Sequence, residues 1–171
     1  MTDLGIATQI ITATDPAPHS LSLTYEDRFL RRKRLTTVEG ATVLLDLPRV
    51  TSLEEGQQLA TETGQRVDIF AAPEQLLAVS GPDLHRMAWH IGNRHTPRQI
   101  EADRLLIQRD HVIMAMLSHL GAVVTEVTEP FTPEGGAYGH GRTHSHEHGN
   151  TLHAHAHDHT HDHSHDHSHD H

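Results

Sequence analysis

Apolar and polar positions alternate in short runs along the first 70 residues of the chain. Such a two-residue period is typical of strands that bury one face. Four of these runs are rich in β-branched residues and are bounded by proline, glycine or aspartate: IATQIIT (6–12), LSLTYED (21–27), ATVLLDL (41–47) and RVDIF (66–70). Segment 52–64 has weak helical character, but an interior glycine and its position between strands favour a hairpin or an irregular loop. The pattern predicts a β-rich first half.

Beyond residues 71–75 the period changes, and strands begin to alternate with helices. Residues 74–80 are typical of a buried strand, which ends at Gly81-Pro82. Asp83 is placed to cap the helix that follows. The apolar residues of that helix recur at i, i+4 and i+7, which puts them on one face: Leu84, Ala88 and Ile91. Gly92-Asn93 is predicted to end the helix.

A second helix and three further strands complete the predicted folded part. Residues 98–102 and 104–108 predict two strands around a tight turn. Asp110 is placed to cap the second helix. The apolar face of this helix comprises Ile113, Leu117 and Leu120. Residues 122–131 predict the last strand, so the order is βαββαβ, which is that of the ferredoxin-like arrangement.

The chain is therefore predicted to be α+β and to have three parts. They are a small β-rich N-terminal domain (1–72), a ferredoxin-like βαββαβ domain (73–134), and a glycine linker with a disordered His-rich C-terminal tail (135–171). The tail cannot form a core, because from His153 onwards it holds no residue larger and more apolar than alanine apart from histidine itself.

Histidine dominates the end of the chain. Fourteen of the 20 histidines lie between His140 and His171, and from His153 onwards every odd-numbered position is histidine. In an extended chain, side chains at i and i+2 point the same way, about 6.6 Å apart. The repeat would thus present one ribbon of imidazoles, which suit Ni²⁺, Cu²⁺ and Zn²⁺. A purification tag is normally an unbroken histidine run, so the pattern favours a reservoir for metal ions.

Composition and charge exclude several classes of protein. The chain has 13 Lys+Arg and 23 Asp+Glu, a formal charge of −10 with histidine neutral, and no cysteine for disulfides or thiolate metal sites. It shows no signal-peptide pattern and no apolar run of about 20 residues, so a cytoplasmic protein without a membrane span is expected. Nucleic-acid binding is not favoured, because the single basic run lacks interleaved aromatic residues.

That basic run comprises Arg31, Arg32, Lys33 and Arg34. If it forms a strand, alternation would place Arg31 and Lys33 on one face and the other two on the opposite face. Two interpretations stay open: a charged edge strand that resists aggregation, or a docking patch for an acidic partner surface. Trp89, the only tryptophan, is expected to pack in a core or an interface.

Selection of one metal needs a fixed site, and the stretch WHIGNRHTP (89–97) is the candidate. Three histidines in and after this stretch are possible ligands: His90, His95 and His111. His95 follows the Gly-Asn that ends the helix and precedes an X-Pro pair, so a constrained loop is expected there. His85 and His119 occupy helical positions with nothing convergent nearby, and they are interpreted as ordinary polar residues.

The motif GNRHTP, followed along the chain by RDHVIMAML (109–117), resembles the UreE family of urease accessory nickel metallochaperones. RRKRLTT (31–37), the β-rich first half and the His-rich terminus agree with this resemblance, which covers the whole chain. It implies an N-terminal domain that is likened to a chaperone peptide-binding module. It also implies a C-terminal ferredoxin-like domain that dimerises, with His95 facing its symmetry mate. A two-fold axis turns one ligand per chain into two per site.

The resemblance further implies a cytoplasmic homodimer that is not an enzyme and that delivers Ni²⁺ for urease assembly. Its partners would be the urease apoprotein and other accessory proteins, including the accessory GTPase, without nucleic acid or membrane. Zn²⁺ and Cu²⁺ are expected to compete, because imidazole sites follow the Irving–Williams order. The expected metal ligands are His95, His111, His140, His144, His146, His148, His153, His155, His157, His159, His161, His163, His165, His167, His169 and His171.

One departure from the family pattern concerns the start of the second helix. Many members carry His-x-His there, whereas this chain has Arg109-Asp110-His111. Arginine is a cation that cannot ligate a metal, so metal binding by His111 stays an open question.

Two other functions remain open. In a passive nickel or zinc store, the tail would be the functional part and the folded part only an anchor. A metal-dependent hydrolase would need convergent ligands such as H-E-x-x-H with a general base, and the sequence shows neither. Whether metal binding survives loss of the tail discriminates between the chaperone and the store.

Overall fold

A computed structural model describes residues 1–135, so the predicted tail lies almost entirely outside the described residues. Six strands form the first sheet: β1 (Asp3–Ile11), β2 (His19–Leu23), β3 (Phe29–Thr36), β4 (Thr42–Ser52), β5 (Gln58–Thr61) and β6 (Arg66–Ala71). The second sheet and its helices follow in the order β7 (Pro73–Ser80), α1 (Leu84–Asn93), β8 (Arg98–Ile100), β9 (Leu105–Gln108), α2 (His111–His119) and β10 (Val123–Pro130).

The first sheet is mixed and has the strand order β2-β6-β5-β1-β4-β3. Strands β1 and β4 run parallel, as do β2 and β6, and the other neighbours are antiparallel. Every second side chain in the first half of β4 is buried, as the alternating pattern predicts: Val43, Leu45 and Leu47. These residues share one core with leucine, valine and isoleucine side chains of the other strands, which is the main source of stability for this part of the chain.

One predicted alternative of the first half is confirmed, and one strand is shorter than predicted. Segment 52–64 contains a strand, β5, which forms an antiparallel hairpin with β6 on one side and pairs with β1 on the other, so of the two alternatives the hairpin is correct. Leu59 is wholly buried at its centre, and this burial outweighs the weak helical pattern. The strand predicted at 21–27 ends at Leu23, because residues 24–28 form a turn in which the N–H of Arg28 donates to the carbonyl of Thr24 at 3.0 Å.

The second sheet has the strand order β10-β7-β9-β8, with all neighbours antiparallel. Both helices cover one face and bury Met87, Ile91, Ile113 and Leu117 against the sheet. The predicted βαββαβ order and the α+β class are therefore confirmed. The ferredoxin-like sheet places the loop after α1 at the end of β8, its edge strand.

The two helices begin differently, although an aspartate precedes each. Asp110 has extended backbone angles, and its side chain accepts from the N–H groups of Val112 and Ile113. This confirms the predicted cap. Asp83 has φ −114° and ψ 46°, and its side chain makes no capping hydrogen bond. The side-chain cap predicted for α1 was wrong, because a capping side chain needs an extended residue at that position.

Residues from the turn before β3 cover the other face of the second sheet. Phe131 is completely buried there beside Leu76 and Leu106, and its ring meets that of Tyr25 edge-on at 5.5 Å. The buried guanidinium of Arg28 donates to the carbonyl oxygens of Leu23 at 2.9 Å and Phe131 at 2.6 Å. These contacts join the two sheets.

Candidate metal-binding site

His95 lies on the short loop between α1 and β8, and its backbone is unusual. Its φ is +56°, the one positive value at a non-glycine residue within residues 1–135. Left-handed angles are uncommon for residues other than glycine, although histidine adopts them more readily than most. The main-chain N–H of His95 donates to the carbonyl of Gly92 at 2.9 Å, and its side chain is exposed. The predicted constrained loop is thus present, and it presents the imidazole to solvent.

Two arginines connect this loop to its surroundings. The Nε of Arg94 donates to the Sδ of Met116 at 3.2 Å, which ties the loop to α2. Arg98 begins β8, and its guanidinium lies against Gly92 in the last turn of α1. Sequence reasoning missed both contacts. The only available signal was a glycine inside the helical pattern, which is often a sign of close packing.

The chain leaves the second sheet next to this loop. Beyond β10, the N–H of Thr132 donates to the Oε1 of Gln99, and the N–H of Glu134 donates to the carbonyl of Arg98, both at 2.8 Å. Arg98 is three residues from His95, so the segment that leads to the tail starts beside the candidate ligand. The first tail histidine, His140, follows Glu134 by six residues, which span about 20 Å when extended.

The other candidate histidines lie on the helices. His90 is half-buried on α1, with its ring edge-on to that of Trp89 at 5.0 Å. His111 is the exposed first residue of α2. Its neighbour Asp110 uses Oδ1 as the helix cap, and the Nε of Arg109 donates to the carbonyl of Leu76 at 3.4 Å. His85 and His119 are exposed on α1 and α2.

No group of three or more His, Asp or Glu side chains within residues 1–135 is arranged to hold a metal ion. His90, His95 and His111 are therefore not brought together into such a group by one described chain. The remaining predicted ligands, the fourteen histidines from His140 to His171, lie outside the described residues. A complete site at His95 would need ligands from a second chain, from the tail or from water.

Apolar side chains are exposed on both helices of the second sheet. Trp89 is 62% exposed, Val112 is 52% exposed and Met114 is 38% exposed. Trp89 is thus outside the core of the described chain, so core packing is wrong as a prediction and packing in an interface stays a prediction. Exposed aromatic and aliphatic side chains of this size are common in protein–protein contacts.

The basic run forms part of β3, which is an edge strand of the first sheet. Its side chains are 50–60% exposed and lie 3.5–3.9 Å from carboxylates of Asp3, Asp27 and Asp46. Arg31 and Arg32 both approach Asp46, because the pairing of β3 with β4 shifts register between Leu30 and Arg32. The predicted alternation assumes a regular strand, and the register shift is a departure from that regularity at these two arginines.

Comparison with known proteins agrees with the GNRH motif and the fold. The family model for the N-terminal domain of the UreE urease accessory protein matches residues 4–72, and the model for its C-terminal domain matches residues 74–171. Within residues 1–135, no helix is long and apolar enough to span a bilayer.

Curated relatives cover most of the chain. The urease accessory protein UreE of Ruegeria pomeroyi is 63% identical over 132 residues, which are 77% of this chain and 89% of the relative. UreE of Cereibacter sphaeroides is 54% identical over 87% of this chain and 83% of its own length. UreE of a Chelativorans species is 45% identical over 87% of this chain and 98% of its own. Because both family models and these relatives match, the chain belongs to the UreE family of urease accessory proteins.

Proposed function

We propose that this protein is a nickel metallochaperone that binds Ni²⁺ and delivers it for assembly of the urease active site. One observation supports this most: His95 is exposed on a loop of defined conformation, and the chain that leads to fourteen further histidines departs beside it. A ligand in a fixed position can select one metal ion over others, and a tethered set of ligands can capture metal ions from solution. No catalytic step of its own is proposed.

The proposed fixed site contains His95 from each of two chains on a two-fold axis. One described chain offers no group of three ligands, and a symmetric dimer doubles its single histidine. Two imidazoles are too few for Ni²⁺, so tail histidines or water complete the set. His140 is the first that the chain can bring back, since it follows the contact between Glu134 and Arg98 closely. His111, without a histidine at position 109, contributes weakly.

The proposed dimer forms through the second sheet and its helices. Trp89 lies six residues before His95, and its indole is exposed rather than buried in the described chain. Burial of such a large apolar side chain against a second copy would stabilise the dimer. This arrangement corresponds to the three proposed parts: a β-rich partner-binding domain (1–72), a metal-binding and dimerisation domain (73–134), and a linker with the tail (135–171).

The proposed partners are the urease apoprotein and the other urease accessory proteins, including the accessory GTPase, in the cytoplasm. The relatives are themselves described as urease accessory proteins, which supports this assignment. Zn²⁺ and Cu²⁺ compete for the same imidazoles. The proposed tail ligands are His140, His144, His146, His148, His153, His155, His157, His159, His161, His163, His165, His167, His169 and His171.

A passive metal store is the second candidate. The observation that favours it is the absence of a three-ligand group within residues 1–135, which leaves most of the imidazoles in the tail. The two functions differ in what His95 does. In a store His95 is dispensable, whereas in a chaperone it holds the ion that is transferred.

Replacing His95 with alanine tests the proposal. Each dimer then loses two symmetric ligands, while the tail still captures metal. We expect near-normal nickel loading by calorimetry but poor activation of urease in a reconstituted maturation assay. The variant His85→Ala is a matched control, since His85 is also exposed on the second half of the chain but outside the loop. Normal urease activation by His95→Ala would overturn the chaperone site and favour the store.

A further inference from the structure

Gly92 and Arg98 fit together across the loop that carries His95. A Cβ atom on Gly92 would lie 3.1 Å from Nη2, 3.3 Å from Cζ and 3.5 Å from Nη1 of Arg98. Gly92 has no positive φ, so its backbone conformation does not require glycine, and alanine would be the better helix former. The constraint on residue 92 is therefore one of space, because a Cβ there would be in tight contact with the guanidinium, which would have to shift by a few tenths of an ångström.

The contacts of Arg98 lie on both sides of His95. Before His95, the guanidinium rests on Gly92, whose carbonyl accepts the N–H of His95. After His95, Nη1 lies 3.5 Å from the carbonyl of Thr96. The Nε of Arg98 is buried without a hydrogen-bond partner in the described chain. Packing therefore determines the position of this side chain more than hydrogen bonds do.

The packed position of Arg98 is relevant to His95 because the backbone angles of His95 are unfavourable. A left-handed residue other than glycine persists when its surroundings fix it. The end of α1 provides one fixed side of the loop, and β8 provides the other, with Arg98 paired to Ile107 of β9. The cation also lies at the C-terminal end of α1, where the free carbonyls favour positive charge.

We propose that Arg98 is a positioning residue for the His95 site. Its guanidinium, packed against Gly92, stabilises the conformation of the loop that carries the imidazole of His95. The consequence for nickel rests on the proposed function, whereas the consequence for the loop does not. The guanidinium does not bind the metal. It stabilises the loop before metal arrives, so that two loops of a dimer meet the ion without rearranging.

A double-mutant cycle in the full-length protein tests this. Arg98→Ala removes the guanidinium, and Gly92→Ala adds a methyl group in tight contact with it, so that the guanidinium has to shift. Each change should speed hydrogen exchange of the His95 amide in the metal-free protein about 10-fold. In nickel titrations, the binding step at the His95 site is the one that is absent from His95→Ala. Each change should also weaken nickel binding at this step by about 10-fold. The double variant should equal Arg98→Ala, because no guanidinium remains for the methyl group to displace.

Three further measurements make the cycle decisive. Arg86→Ala, an exposed arginine on α1, is the control and should leave the exchange of His95 unchanged. Arg98→Lys keeps the charge without the planar group and should not restore the loop. Circular dichroism establishes that each variant is folded. Unchanged exchange of His95 in both single variants, additive effects in the double variant, or rescue by lysine would each overturn the proposal. If exchange responds and nickel binding does not, the proposed metal site is wrong and the positioning role stands.

Discussion

The main-chain N–H of Glu134 donates to the carbonyl oxygen of Arg98 at 2.8 Å. This bond connects the segment after the last strand to the strand that follows the His95 loop. The tail histidines are therefore attached beside His95 rather than at a remote end of the fold. If the tail and the loop both bind nickel as proposed, attachment by a short linker would give a local ligand concentration in the millimolar range, which would favour exchange of metal between them.

Removing the chain after Gly135 should lower the number of nickel ions bound per dimer without abolishing binding. The loop site remains, so about one nickel per dimer should be retained, with one shared site on the axis. Urease activation should be normal when nickel is plentiful and should fail when nickel is scarce, because the reservoir is lost. Calorimetry read beside urease activation at low and high nickel measures both. If the truncated protein were inactive at every nickel concentration, the tail itself would be the delivery site.

Acid should release the metal. Protons compete with metal for imidazole, whose ordinary pKa is about 6.5, so nickel affinity should fall steeply as pH drops through this value. Several protons should be taken up for each ion released. Nickel titrations between pH 8 and 5.5 test this, with proton uptake measured in buffers of different ionisation enthalpy. An affinity that stays flat over this range would point to carboxylate ligands instead.

Charge reversal in the basic run of β3 should distinguish a docking patch for a partner from protection of the sheet edge. Replacing Lys33 and Arg34 with glutamate keeps β3 charged and so keeps its edge protected, but reverses the sign that an acidic partner would meet. If β3 docks a partner, binding to the accessory proteins should weaken about 10-fold at low salt and less at high salt, with nickel binding unchanged. Arg49→Glu, on the exposed end of β4, is the control. Unchanged partner binding would leave edge protection as the role of the run.

Arg28 should matter for stability rather than for metal. Its buried guanidinium supplies hydrogen bonds to Leu23 and Phe131, and alanine would leave both carbonyl oxygens without these donors. We expect Arg28→Ala to lower the free energy of unfolding by about 3 kcal/mol, as for loss of buried charged hydrogen bonds. Urea unfolding measures this. Arg86→Ala, on the exposed side of α1, should change the free energy by less than about 0.5 kcal/mol.

Glu39 should make part of the stability dependent on pH. Hydrogen bonds from the N–H of Ser20 at 3.0 Å and its hydroxyl at 2.8 Å lower the pKa of Glu39 from 4.5 to about 2. A lowered carboxyl pKa stabilises the fold above the unfolded value, and this stabilisation is lost as pH falls from 4.5 toward 2. The difference between wild type and Glu39→Gln in urea unfolding should therefore be largest above pH 4.5 and shrink below it.

The exposed Glu62, on the turn after β5, provides the control for that experiment. Glu62→Gln should not reproduce the pH-dependent difference, because its carboxylate lacks the pair of donors that Ser20 gives to Glu39. A difference for Glu39→Gln that stays constant from pH 6 to pH 3 would show that the hydrogen bonds do not depend on its charge.

The two aspartates before the helices show which part of helix capping can be predicted from local sequence. Asp83 and Asp110 occupy equivalent positions in sequence, and both were predicted to cap. Only Asp110 has the extended backbone that lets a side chain reach the first N–H groups of the helix. The backbone before α1 is set by how the end of β7 connects to the helix, and this connection depends on packing that no local pattern contains.

The sequence by itself determined the features that depend on near neighbours along the chain. Period-two and helical runs predicted the βαββαβ order, and Gly92-Asn93 with the following X-Pro pair predicted the constrained loop at His95, because steric limits on backbone angles act within a few residues. The GNRH motif identified the family.

Only the tertiary structure decided which distant residues meet. It placed β5 between β1 and β6, put β3 at an edge, left Trp89 exposed, and brought Glu134 back to Arg98. It also brought the guanidinium of Arg98 against Gly92, a contact that the helical pattern alone does not predict. These relationships depend on which surfaces bury each other and on strand pairings between remote segments, and that choice is made by the packing of the whole chain.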